Sequence, residues 1–178
     1  DGTIPPMKIL IPTMLTPAQV APQIEAIRAV TPGVEVFASC LKASASVNRN
    51  ACLDQITVGE IAIMIDDDVE SFRVGWVDDL LKGMEIHNAV MVSARLLNPD
   101  GSFGPTCACN FDREPMEIVL RPRPASPHCI MPTAAIAFHH RGHRFPESMR
   151  GSGWEDNWWA AEYVDSDPDA VFVQSNRC

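Results

Sequence analysis

The sequence holds no apolar stretch near the roughly 20 residues that a membrane-crossing helix needs, and no basic-then-apolar leader opens it. Its six cysteines, Cys40, Cys52, Cys107, Cys109, Cys129 and Cys178, form no paired CxxC sets. A closed zinc site is thereby disfavoured, and the scatter reads as reduced cytosolic thiols, with Cys107 and Cys109 as one close pair. Basic charge is scarce as well: 14 Lys and Arg stand against 23 Asp and Glu, for a formal charge of -9. That balance disfavours long-range attraction to bare nucleic acid or an anionic membrane. Internal repeats, long linkers and low-complexity blocks are missing too. What remains is the expectation of one soluble, cytoplasmic domain, since 178 residues at 46% hydrophobic content can bury a real core. Met7-Lys8 looks like a native start, so residues 1–6 read as an expression remnant and 7–178 as the domain.

Strand and helix signals alternate along it. Lys8-Ile9-Leu10-Ile11 is an apolar run stopped by Pro12-Thr13, a buried strand. Val20, Ile24, Ile27 and Val30 recur at helical spacing; Pro22 sets the start of that helix near itself, and Thr31-Pro32-Gly33 ends it. Residues 34–38 read as a second strand, Ser46 as the cap of a helix running to about Ile56, and residues 60–65 as a third strand after Gly59. Trp76, Val77, Leu80, Leu81 and Met84 mark another amphipathic helix. A strand over 89–94 and a turn at Asn98-Pro99-Asp100-Gly101 follow. Beyond it the text is Pro-rich, with 116–120 strand-like; strands over 133–138 and 170–173 then flank a helix over 155–163. The alternation predicts an α/β fold with a mostly parallel central sheet flanked by helices, whose ligands bind beyond the carboxyl ends of the strands.

Ile63-Met64-Ile65 runs straight into Asp66-Asp67-Asp68, three mutually repelling carboxylates at such an end. One reading is a solvated acidic turn, since aspartates cap helices well. The other is a cation site. In an extended segment Asp66 and Asp68 point one way and Asp67 the other. Two carboxylates on one side suit Mg²⁺ or Mn²⁺, which takes oxygen ligands and keeps positions for water and phosphate.

The run Asn48-Arg49-Asn50-Ala51-Cys52-Leu53, then Gly59-Glu60, the strand with its acids, and Gly75-Trp76-Val77 resembles family 2 glycosyltransferases of the GT-A fold, whose strand ends in a DxD motif. Ile9 to Thr13 looks like their opening strand and residues 89–101 like the segment after the DxD helix. Phe145-Pro146-Glu147, followed by Gly153-Trp154-Glu155-Asp156, is similar to their acceptor-side motif. The resemblance covers most of residues 7–163. It implies a single GT-A domain, with residues 7–95 as its nucleotide-binding half and 96–178 as its acceptor-binding half. The implied activity is metal-dependent, inverting transfer of a sugar from a UDP- or GDP-sugar type of donor to an acceptor hydroxyl. Carried onto this chain, Asp66 and Asp68 would hold Mn²⁺ or Mg²⁺. Pro12, Thr13, Arg49, Asp66 and Asp67 would meet the nucleotide. Asp156 would be the general base with Glu155 as its understudy, and Trp154 would face the acceptor.

The chain departs from the family pattern at Phe37-Ala38-Ser39-Cys40, which lacks the Asp-rich turn that holds the base. It also ends at Asn176-Arg177-Cys178, where many relatives place a histidine that completes the metal site. On a helix Trp154 and Trp158 share a face while Trp159 turns aside. His139 and His143 lack the glutamate of an HExxH motif, and the stretch around them reads as a basic loop. Gly151-Ser152-Gly153 lacks the Lys-Ser/Thr of a phosphate loop and reads as a hinge. Two other classes stay open: a non-catalytic sugar- or nucleotide-binding relative, and a sugar nucleotidylyltransferase, although Pro12 to Thr16 is unlike the Gly-rich loop of the latter. The acceptor is open too, a nucleic-acid base included.

Overall fold

The computed structural model describes residues 7–102, 118–120, 134–148 and 155–175. The elements run in the order β1 (Lys8–Ile11), α1 (Pro17–Val30), β2 (Glu35–Ala38), α2 (Ala45–Leu53), β3 (Ile61–Ile65), α3 (Trp76–His87), β4 (Met91–Ala94), β5 (Ile118–Leu120), β6 (Ala135–His139), α4 (Glu155–Ser166) and β7 (Phe172–Ser175). Among the described residues the sheet has seven strands in the order β2-β1-β3-β6-β4-β7-β5. Five share one direction, because β1 pairs in parallel with β2 and β3, and β4 with β7. The sheet is therefore mostly parallel, as expected, but β6 lies antiparallel between β3 and β4, and β5 runs antiparallel to β7.

The two-residue period of the strands sorts the core into two layers. Ile9, Ile11, Ile63, Ile65, Ala135 and Ala137 face α1 and α3, meeting Val20, Ile27, Trp76, Leu80 and Met84. Leu10, Ala62, Met64, Ile136 and Phe138 face the other way, onto Cys52 and Leu53 of α2 and Trp159, Tyr163 and Val164 of α4. Continuing that parity past Ile65 puts Asp66 on the α2/α4 side. The apolar strand thus ends in an acid that faces two helices, and the candidate site is built there.

Two helix starts differ from the sequence expectation. Helix α1 begins at Pro17, not near Pro22, which lies inside it. The earlier proline takes the first-turn position where its missing N–H costs nothing, and Gln19 Oε1 accepts from the N–H and hydroxyl of Thr16 at 3.0 and 2.9 Å. Ser44, not Ser46, caps α2: its hydroxyl accepts from the Val47 N–H at 3.3 Å, while Ser46 is buried within the helix.

Cys40 and Cys52 are free thiols; the other four cysteines lie outside the described residues. Burial pushes the Cys52 thiol up to about 12, so at pH 8 it stays protonated. Brief treatment of the native protein with iodoacetamide at pH 8 is expected to leave Cys52 unlabelled while the half-buried Cys40 reacts first. Peptide mapping by mass spectrometry reads this out, and modification of Cys52 at the rate of Cys40 would contradict its burial.

Candidate functional site

Beyond the carboxyl ends of β1 and β3 opens a cleft of ≈ 450 Å³ lined by Pro12, Thr13, Met14, Ala45, Asn48, Arg49, Asp66, Asp67, Asp68 and Glu155. Seven of the positions expected from sequence, Pro12, Thr13, Arg49, Asp66, Asp67, Asp68 and Glu155, meet in this one place.

The acids do not continue the strand. The chain turns at Asp67 and Asp68, and the Val69 N–H reaches back to the Asp66 carbonyl at 3.4 Å. Gln23 of α1 fastens this turn, its Nε2 donating to the carbonyls of Asp66 and Val69 at 2.8 and 3.0 Å. Strand alternation therefore orients Asp66 but not Asp68, whose place in the cleft comes from the turn. Asp67 accepts a hydrogen bond from the hydroxyl of Thr13, which itself accepts from the Leu15 N–H at 2.9 Å. Asp68 is exposed.

Helix α2 brings the counter-charge. Asn48 anchors the turn before it, donating to the carbonyls of Leu41 and Ala43 at 3.0 and 3.2 Å and accepting from the Leu41 N–H at 3.1 Å. Next in line, Arg49 is 6% exposed, yet it touches three carboxylates. Its Nη2 lies 3.2 Å from Asp66 Oδ1, and its Nη1 lies 2.7 Å from Glu155 Oε1 and 2.6 Å from Asp156 Oδ1. Burial alone would lower the guanidinium, but Asp156, Asp66 and Glu155 together hold it above its ordinary value. Burial pushes Asp66 up to about 6; Arg49 pulls the other way, while Asp156 and Asp68 add to the rise.

Glu155 and Asp156 open α4, as expected, where acids favour the positive helix end. The Glu155 side chain is nearly closed off at 4% exposure, whereas Asp156 keeps 19%. Trp154 lies outside the described residues, as do Gly151–Gly153 and Asn176–Cys178. Trp159 turns into the core and Trp158 out to solvent. The basic loop is spent elsewhere: Arg141 pairs with Asp167 at 2.9 Å, Arg144 with Asp54 at 2.6 Å, and His143 Nε2 meets the Ser166 hydroxyl at 3.0 Å. None of His139 to Arg144 is among the residues lining the cleft.

Sequence reasoning missed Gln23, Met14, Ala45 and the anchoring role of Asn48. A buried polar residue on an apolar helix stripe is the signal that would have found Gln23. Arg49 was expected at the nucleotide; its three carboxylate partners were not foreseen.

No group of three or more His, Cys, Asp or Glu able to hold a metal ion occurs among the described residues. Asp66 and Asp68 offer hard oxygen donors on an open cleft. Such a pair fits an ion whose shell is completed by phosphate and water, not one caged by protein.

The described residues form an α/β domain with a mostly parallel sheet and a polar cleft at the carboxyl ends of β1 and β3. The chain is similar to the crystal structure of A197 from STIV at 12% identity and a TM-score of 0.59, over 96% of this chain and 81% of that one. It is likewise similar to S. aureus TarS 1-349, at 13% identity and a TM-score of 0.58 over 96% of this chain. A second TarS 1-349 structure, in complex with UDP-GlcNAc, matches at 13% identity and a TM-score of 0.55 over 97% of this chain. The chain spans 60% and 59% of those two TarS chains. No protein-family profile and no curated protein matches. No helix among the described residues is long and apolar enough to cross a membrane.

Proposed function

We propose that the chain is a metal-dependent glycosyltransferase that moves a sugar, with inversion, from a nucleotide-diphosphate donor to an acceptor hydroxyl. One observation carries the reading: the acidic end of β3 and Glu155 at the start of α4 line one cleft, with Asp156 held beside Glu155 on the same Arg49, in a fold similar to one solved with UDP-GlcNAc. Glycosyl transfer needs those two sides. A departing diphosphate must be stabilised on one, and a hydroxyl partly deprotonated on the other.

In this reading Asp66 and Asp68 hold Mn²⁺ or Mg²⁺, which when bound offsets the charge that develops on the leaving diphosphate. Thr13, with Pro12 beside it, meets the ribose and base, and its hydroxyl steadies Asp67 at the same edge. Asp156 accepts the proton of the acceptor hydroxyl, because its carboxylate keeps more exposure than that of Glu155. An attack from the side opposite the diphosphate inverts the anomeric centre.

Calorimetry with UDP and GDP, each with and without Mn²⁺, tests the donor side. Metal is expected to tighten binding of one nucleotide by at least about tenfold, in keeping with a charge-compensating ion. Asp68→Ala should remove that gain and leave the metal-free affinity as it was. Binding that ignores Mn²⁺ in the wild type would refute the metal. Nucleotide binding without any release of nucleoside diphosphate from donor would instead mark a non-catalytic relative.

A further inference from the structure

Arg49 is mounted for rigidity. It follows Asn48, which ties down the turn before α2, and precedes Asn50, which grips the Phe145 backbone from both sides. Asn50 donates to the Phe145 carbonyl at 3.0 Å and accepts from its N–H at 2.9 Å. The Phe145 ring in turn lies under the guanidinium, 5.4 Å from Arg49 Cζ to the ring centroid. Cys52 and Leu53, on the next turn, are fully buried in the core. A planar fork held this way directs its donors at fixed points in space.

Those points are the acids of two distant segments. One Nη takes Asp66, 17 residues away; the other takes Glu155, 106 residues away, together with Asp156. A guanidinium that swung onto a nucleotide diphosphate would loosen its hold on these carboxylates, one of them the buried Glu155.

We infer that Arg49 is a positioning residue: it joins the acidic end of β3 to the first turn of α4 and sets Asp156 in place, without itself binding the nucleotide. This rests on the transferase reading for its kinetic consequence, though not for the clamp. Donor side and acceptor side are separate segments in sequence, and Arg49 touches both. A misplacement of Asp156 on the order of 1 Å is enough to cost about 100-fold in rate.

The test uses Arg49→Lys, Arg49→Met, Glu155→Gln and the double variant Arg49→Met with Glu155→Gln, against wild type. In the kinetic arm, donor hydrolysis in Arg49→Met is expected to lose about 100-fold in kcat while KM for the donor stays within about threefold. Arg49→Lys should recover at least about tenfold of that loss, because an ammonium can still hold one or two of the acids. A tenfold or greater rise in KM, or in the Kd of UDP or GDP, with kcat retained would overturn the proposal and return Arg49 to the nucleotide. In the melting arm, Arg49→Met should lower Tm, and adding Glu155→Gln should restore part of the loss, since the stranded charge is gone. Strictly additive losses would show that no clamp exists. If Arg49→Met does not fold, Arg49→Lys and the double variant carry both arms. A wild type that neither binds nucleotide nor hydrolyses donor sinks the transferase reading and the kinetic role with it, while the melting arm still decides the clamp.

Discussion

Asp156→Asn is expected to lower turnover by about 10² to 10⁴-fold, the range spanned by loss of a positioned general base, while nucleotide affinity stays unchanged. The substitution keeps shape and removes only the charge and the basicity. Arg49 retains Asp66 at 3.2 Å and Glu155 at 2.7 Å, so the mount of the site survives. Glu155 makes a poor replacement: it lines the cleft, but its carboxylate is buried against the guanidinium and the proton it would take has little room to arrive. Steady-state release of nucleoside diphosphate at saturating donor, alongside calorimetry for nucleotide binding, checks both halves. Turnover within about threefold of wild type would show the base to be another group.

The contrast between the two faces of the site shows what a sequence can and cannot carry. The period-two run Ile61-Ala62-Ile63-Met64-Ile65 fixes which way Asp66 leaves the sheet, and that parity needs no tertiary knowledge. The same holds for Thr13 after β1, where the strand end was legible from Pro12 alone. Arg49 was not legible in the same sense. Nothing in the spacing of α2 says that its guanidinium is buried, because all three partners come from elements folded against it from elsewhere. The direction of β6 was hidden for a related reason: residues 133–138 read as an apolar strand in either direction, and only the pairing of Ile61 with His139 through Ile65 with Ala135 reveals that it runs backwards. Ser44 and Ser46 differ by two positions with the same chemistry, so the cap was decided by where the Asn48 side chain closes the preceding turn. Tertiary geometry decides most at Asp68. Its neighbour-sharing with Asp66 followed from an extended chain that the turn at Asp67 replaces, yet both acids still line the cleft.

Trp159→Ala is expected to destabilise the protein by about 3–5 kcal/mol, as large-aromatic truncations in cores do, and to blunt activity through the same contacts. Trp159 is fully buried; its ring stacks on Phe145 with centroids 4.6 Å apart and meets Phe138 and Tyr163 edge-on at 5.0 and 5.3 Å. Its indole N–H also donates to the His143 carbonyl at 3.3 Å. Two consequences follow from that position. Trp159 lies one helical turn beyond Glu155, so the cavity loosens the helix that presents Glu155 and Asp156. It also removes the support of Phe145, the ring beneath Arg49. Trp158→Ala, one residue away but 54% exposed, is the natural control and should stay within about 0.5 kcal/mol of wild type. Urea unfolding followed by circular dichroism measures both. Equal losses in the two variants would mean that α4 is turned by one residue from the packing described, and the pairing of Arg49 with Glu155 and Asp156 would then have to be redrawn as well.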